Sequence, residues 1–215
     1  MKILVACEES QVVTKAFREL GHTAFSCDLK ECSGGRPEWH IVGDAIEIIY
    51  NNNWDMLIGH PPCTYLSNAG GGYFNFDRFG DKAIERWKNR IAAAEFFLKM
   101  WRAPIEKICL ENPVGFINSN IPANQIIHPY YFGDNDKKRT ALWLKNLPPL
   151  NYAIQDNLFT QRTASDEPKP TYIDKSGKPR YFTDAIGGKG GHEKRQELRS
   201  KTFPSIAKAM AIQWS

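Results

Sequence analysis

Two short stretches carry the residue types needed for nucleophilic chemistry on an aromatic ring. One is Cys63, preceded by Pro61 and Pro62; the other is Glu111, followed by Asn112 and Pro113. Proline fixes φ and has no amide donor, so the Pro-Pro pair predicts a stiff, extended path that presents the Cys63 thiol. A thiol held near amide dipoles or a basic side chain loses its proton more readily, and the thiolate is the form that attacks electrophiles. Glu111 leaves the apolar run Ile108-Cys109-Leu110, where partial desolvation is expected to raise its pKa and suit it to donating a proton. Each also has a plainer reading, a small buried hydrophobe for the cysteine and an Asx-Pro turn with a solvated acid for the glutamate. Together, a thiol and a carboxylic acid on neighbouring strand ends are the two groups that activate a pyrimidine ring.

Other carboxylates fall at equivalent places. Glu8 and Glu9 follow the first predicted strand, just before Ser10, Asp28 follows the second and Asp44 the third, so with Glu111 four of the first five predicted strand ends carry an acid. Singly, such an acid caps a helix or solvates a loop. Asp28 and Asp44 on successive strand ends can also accept hydrogen bonds from ribose hydroxyls or an adenine amino group.

Positioning these residues requires strands and helices in alternation, and the first two thirds of the chain supplies them. Residues 2–7 read as a strand, and Val12, Val13, Ala16, Phe17 and Leu20 recur at helical spacing up to Gly21. Strands are predicted at 23–27, 40–42, 55–59, 107–110 and 141–144, with a helix over 45–50. The long loop 60–79 precedes a helix over 81–102, whose packing face is expected to be Ile84, Trp87, Ile91, Ala94, Leu98 and Trp101. Beyond residue 150 periodicity fades into Pro, Gly and charge, with a hairpin expected around Lys175-Ser176-Gly177-Lys178, and residues 203–214 close with a helix. The fold class is therefore α/β, a doubly wound Rossmann-like sheet with a small C-terminal insertion and a closing helix. The expected organisation is a core over 1–149, a basic insertion over 150–200 and a closing helix over 201–215 that returns to the core.

Composition narrows the class. At 215 residues, with 42% hydrophobic and 24% charged, the chain can bury a full core. No apolar run approaches the roughly 20 residues of a membrane span. The amino terminus enters a strand pattern without the features of a secretory leader, so a cytoplasmic setting is expected. Five scattered cysteines without a CxxC pair argue against a disulfide framework or structural zinc. The net charge of +4 is localised: residues 161–201 hold 10 Lys/Arg against 6 Asp/Glu. Such a segment is an ordinary solvated loop or a surface for a polyanion.

The ordered motifs resemble those of the DNA cytosine methyltransferases that modify ring carbon 5. Pro61-Pro62-Cys63 looks like the family's nucleophile motif, and Glu111-Asn112-Pro113 is similar to its Glu-Asn-Val or Glu-Asn-Pro motif. Lys137-Lys138-Arg139-Thr140-Ala141-Leu142-Trp143-Leu144 resembles its basic segment running into a strand, with Arg139 as the matching arginine. Thr202-Phe203-Pro204-Ser205-Ile206-Ala207 resembles its last motif, and the compact length is like that of small bacteriophage members. The resemblance implies methyl transfer from S-adenosylmethionine to DNA in a bacterial or phage-infected cell. It assigns Cys63 as nucleophile, Glu111 as acid, Arg139 to orienting the base or supporting Cys63, Asp28 and Asp44 to the cofactor's ribose and adenine, and Glu8, Ser10 and Pro61 to the remaining cofactor contacts.

Two features depart from the family. The first loop is Cys7-Glu8-Glu9-Ser10-Gln11 where the family is Gly-rich, so backbone approach to the cofactor must differ. Only about fifty residues remain for target recognition, with Tyr172, Tyr181 and Phe182 available to hold a nucleic-acid backbone. The rival readings are an amino-methylating enzyme, which normally carries an aromatic residue where Cys63 stands, a folate-dependent pyrimidine-modifying enzyme, and a catalytically inactive methyltransferase-fold module binding DNA or protein.

Overall fold

The computed structural model describes residues 1–68, 70–152, 155–156, 160–161, 168–181 and 202–215. In chain order its main elements are β1 (Lys2–Ala6), α1 (Val12–Glu19), β2 (Thr23–Asp28), β3 (His40–Val42), α2 (Ala45–Tyr50), β4 (Met56–Gly59), α3 (Phe76–Phe79), α4 (Asp81–Trp101), β5 (Lys107–Pro113), α5 (Phe116–Asn120), β6 (Gln125–Ile127) and β7 (Thr140–Lys145). Two short hairpins follow, β8 (Gln155–Asp156) with β9 (Thr160–Gln161) and β10 (Tyr172–Ile173) with β11 (Pro179–Arg180), before α6 (Pro204–Trp214).

The apolar runs of β1 and β4 are buried almost throughout, as strands covered on both faces must be. They pair in parallel at the centre of a seven-stranded sheet of order β3-β2-β1-β4-β5-β7-β6. The strands β1 to β5 run parallel, and β7 enters antiparallel between β5 and β6. This is the doubly wound α/β class expected. The chain reverses its direction of spread between β1 and β4, so their carboxyl ends form the crevice where such sheets bind ligands.

Helices cover both faces. Val13 and Phe17 of α1 and Met210 and Trp214 of α6 pack on one, and Ile49 of α2 with Phe97 and Met100 of α4 on the other. Gly59, at the end of β4, is a packing requirement: a Cβ there would lie 2.5 Å from Met100 Cε and 2.7 Å from Leu110 Cδ2.

The α4 packing face differs from expectation. Ala94, Leu98 and Trp101 pack against the core as expected, but the buried residues are Ala83, Arg90, Phe97 and Met100, while Ile84 and Ile91 are about half exposed. Two stripes offset by one residue, about 100° apart, share the same period, and Arg90 in the middle of the buried stripe disguises it. The strand expected over 107–110 is also longer, because β7 pairs with β5 as far as Pro113↔Thr140. Glu111 and Asn112 thus lie within the sheet. The elements α5 and β6, five and three residues long, were not expected.

The turn expected at residues 175–178 joins β10 to β11, where the Asp174 carboxylate accepts from Ser176 N, Ser176 Oγ and Lys178 N and pairs with Arg180. Much of the expected basic insertion, including Phe182, lies outside the described residues.

Candidate active site

The first loop solves a glycine problem without glycine. Cys7 and Gln11 adopt φ 60° and 58°, the left-handed region that costs a residue with a Cβ about 1–3 kcal/mol. The cost at Gln11 is offset by its buried amide: Nε2 donates to the Arg36 carbonyl at 2.8 Å, and Oε1 accepts from Arg36 N at 3.1 Å. The turn is held from outside by the 32–36 segment.

A cavity of about 160 Å³ opens beside this loop, lined by Cys7, Asp28, Leu29, Gly43, Asp44, Ala45, Pro62 and Phe96. It is smaller than the roughly 300 Å³ at which pockets for whole drug-sized ligands begin, and suits part of one. Asp28 accepts from Lys30 N through Oδ1 at 3.0 Å. Asp44 caps α2, its Oδ1 accepting from Ile46 N at 2.7 Å and Glu47 N at 3.3 Å. Each aspartate therefore makes these local hydrogen bonds through one oxygen, and the second oxygen could accept from a bound group. This arrangement fits the hydroxyl and amino donors of an adenosine.

The other cofactor candidates sit differently. Glu8 is turned under α1, where it accepts from Val13 N at 2.6 Å, Thr14 N at 3.2 Å and Thr14 Oγ1 at 2.7 Å. Burial pushes its pKa upward, against the opposing pull of His60 and those donors. Its carboxylate satisfies the first-turn amides of the helix and does not line the cavity. Ser10 is half-buried in the turn before α1, and Pro61 is buried behind Pro62, which does line the cavity.

At the end of β4, Pro62 is exposed and Cys63 half-buried, so the nucleophile candidate stands at the surface of the crevice. Its carbonyl accepts from Leu66 N at 3.0 Å and Ser67 N at 2.9 Å, which folds the following residues into a tight turn. Three other cysteines are poor nucleophiles. Burial raises the pKa of Cys27 to about 12, and it pushes Cys7 and Cys109 well above the usual thiol range, with neighbouring Asp28 and Asp44 adding to Cys7 and Glu111 to Cys109.

The exits of β4 and β5 are stitched together. Asn112 Nδ2 donates to the Pro61 carbonyl at 2.8 Å, Phe116 N donates to the Leu66 carbonyl at 2.7 Å, and Ser67 bridges to Gly115. A Cβ at Gly115 would overlap the Leu66 carbonyl, so only glycine permits this crossing. The two motifs expected to cooperate are thereby joined at the backbone.

Glu111 departs from expectation in its charge. Burial does raise its pKa, but Lys138, the hydrogen bond and charge of His60, and the Thr140 hydroxyl together outweigh burial and hold the group below the ordinary carboxylate range. Oε2 lies 3.1 Å from His60 Nδ1. The resting residue is a carboxylate, an acceptor, and not the preformed acid that its apolar strand suggests.

Arg139 is exposed immediately before β7, on the β6–β7 connection that crosses the same carboxyl edge, since Ile127 and Pro113 both pair with Thr140. On that connection Lys137 places Nζ 5.3 Å from the ring of Tyr181. Tyr172 is exposed. Sequence reasoning missed two residues that shape the site. Arg90 supports the turn after Cys63, its Nε donating to the Tyr65 carbonyl at 2.8 Å and its guanidinium stacking 3.3 Å from the centre of Phe74. His60 stands between Glu8 and Glu111. Its place as the first residue after β4, with an acid ending each neighbouring strand, was the available signal.

No protein-family model matches the chain, and no curated protein does. Solved structures similar to it include a prophage-encoded protein of E. coli described as a DNA modification methyltransferase, at 10% identity and TM-score 0.38, covering 67% of this chain and 46% of that one. Another is the Dnmt2 methyltransferase of S. pombe, at 15% identity and TM-score 0.41, covering 78% of this chain and 57% of that one. The chain thus spans about half the length of the structures it matches. Among the described residues, no helix is long and apolar enough to cross a membrane.

Proposed function

We propose that the protein transfers a methyl group from S-adenosylmethionine to carbon 5 of cytosine in DNA, through a covalent bond between Cys63 and carbon 6. The observation that carries this reading is the Asn112–Pro61 hydrogen bond, which ties the strand end presenting Cys63 to the strand carrying Glu111, one proline away from the two-aspartate cavity.

Carbon 5 of cytosine is too weak a nucleophile to take a methyl group unaided, and covalent addition removes that obstacle. Asp28 and Asp44 would hold the ribose and adenine of the cofactor, which when bound supplies an electrophilic methyl group. The Cys63 thiolate forms a bond to carbon 6, and the displaced π pair becomes available at carbon 5. Hydrogen bonding at ring nitrogen 3 and the exocyclic amine from the Glu111 side stabilises the charge that develops there. Carbon 5 would accept the methyl group, the donor's carbon–sulfur bond breaking to leave a neutral thioether, and would then lose its proton to a base, water being sufficient. The electron pair left behind restores the double bond and expels the thiolate. A base within a duplex must be flipped out of the stack to be reached. Arg139 is assigned to orienting it.

The test uses DNA containing 5-fluorocytosine, whose fluorine cannot leave as a proton does. Wild-type protein with labelled cofactor is expected to accumulate a covalent protein–DNA complex, and Cys63→Ser none. Methyl label recovered on an exocyclic nitrogen, or an equal yield of complex with Cys63→Ser, would overturn the reading.

A further inference from the structure

We infer that His60 is a positioning residue that holds a proton for Glu111, so that the two side chains act as one donor toward the substrate ring. The inference rests on the function proposed above. Three observations carry it.

The first is the contact itself. The two side chains are 8% and 10% exposed, and His60 Nδ1 lies 3.1 Å from Glu111 Oε2. A carboxylate only accepts, so the proton between them resides on Nδ1. The second is the charge around the imidazole. Glu8 faces it from the β1 exit and Glu111 from β5, while Lys138, ahead of β7, acts on Glu111. The imidazole therefore lies between two buried carboxyl groups. The third is the unsatisfied edge of the pair. His60 Nε2 and Asn112 Oδ1 are buried polar atoms with no hydrogen-bond partner among the described residues. A site with unused donor and acceptor capacity next to Glu111 is one built to complete its hydrogen bonding with a ligand.

The chemistry requires such a reserve. Glu111 rests as a carboxylate and has no proton for ring nitrogen 3. A single proton satisfies the balance. It leaves Nδ1 of a ring that also carries a proton on Nε2, so that a neutral imidazole remains as Glu111 becomes a carboxylic acid; it is shared with nitrogen 3 while Cys63 is bonded to carbon 6, and returns to Nδ1 when the thiolate departs.

The experiment compares the pH dependence of kcat for wild type and His60→Asn, whose amide can still donate to Glu111 but cannot store a proton. His60→Asn is expected to bind S-adenosylmethionine within about twofold of wild type and to lose about 10- to 100-fold in kcat at neutral pH. Its residual rate should climb toward acid pH, where Glu111 can protonate alone, which wild type does not require. A profile of unchanged shape, merely scaled or equal to wild type, overturns the inference. Imidazole 15N spectra give a readout independent of turnover: wild type should carry its His60 proton on Nδ1, and Glu111→Gln, its fold checked by circular dichroism, should move that resonance. An unmoved resonance also overturns the inference. If the fluorocytosine complex fails to form while the 15N coupling holds, the proposed reaction is wrong and the pair stands.

Discussion

Asn112 donates to the carbonyl of Pro61 at 2.8 Å across the carboxyl edge of the sheet, so residues 51 positions apart share one buried hydrogen bond. Proline 61 precedes a second proline and then the thiol, and Asn112 follows the acid. A displacement of either strand end is therefore transmitted to both Cys63 and Glu111. Asn112→Ala leaves the Pro61 carbonyl unpaired in the interior, which costs about 1–3 kcal/mol. Urea unfolding should register that loss, and the yield of fluorocytosine complex should fall further than that of an equally destabilised variant made on the α6 face. Equal losses would show that the bond serves stability alone.

Cys7 occupies a left-handed position with a Cβ. Cys7→Gly and Cys7→Ala both delete the thiol and differ only in that carbon. Glycine is expected to unfold at higher urea than alanine, by about 1 kcal/mol, because alanine retains the steric penalty at positive φ. A reversed order would mean that the turn relaxes to negative φ in solution.

Stability should depend on acid pH through Glu111. Its folded-state pKa lies below the ordinary 4.5, so the folded protein binds its proton less readily than the unfolded chain does. Its contribution is fully present above that ordinary value and is lost as pH falls through the folded value. Glu8 acts in the opposite sense, since burial raises its pKa and its contribution falls as pH rises from the ordinary value. Urea titrations between about pH 3 and pH 6 should show wild type losing stability toward acid more steeply than Glu111→Gln. Parallel curves would remove Glu111 as the source.

Arg139 offers a contrast between stability and activity. It is exposed before β7, so Arg139→Ala should leave unfolding within about 0.5 kcal/mol of wild type. Losing one charge-assisted contact to substrate should slow complex formation at subsaturating DNA by about tenfold or more. Unchanged kinetics would take Arg139 out of the site.

Local signals were sufficient for much of the architecture. Continuous apolar runs made β1 and β4 legible, and the 3.6-residue period made α1 and α6 so. Asp44 was legible as a helix cap and also as a cavity residue, and the structure shows both, because one oxygen caps α2 and the same side chain lines the cavity. The three residues of β6 have no signal of their own; they form a strand because β7 lies beside them. The α4 face was ambiguous because two offset stripes had the same period, and only packing on Leu110 and Gly59 selects between them.

The chain's own order thus determines which residues stand at strand ends, since periodicity and proline act within a few positions of themselves. The pairing of those ends and the charge on them were decided only in three dimensions. Glu111 looks like an acid lifted by an apolar strand, yet His60 lies 51 positions away and Lys138 a further 27 beyond Glu111, and their approach reverses the sign. Electrostatic interaction depends on distance through space, which a linear order of residues does not specify.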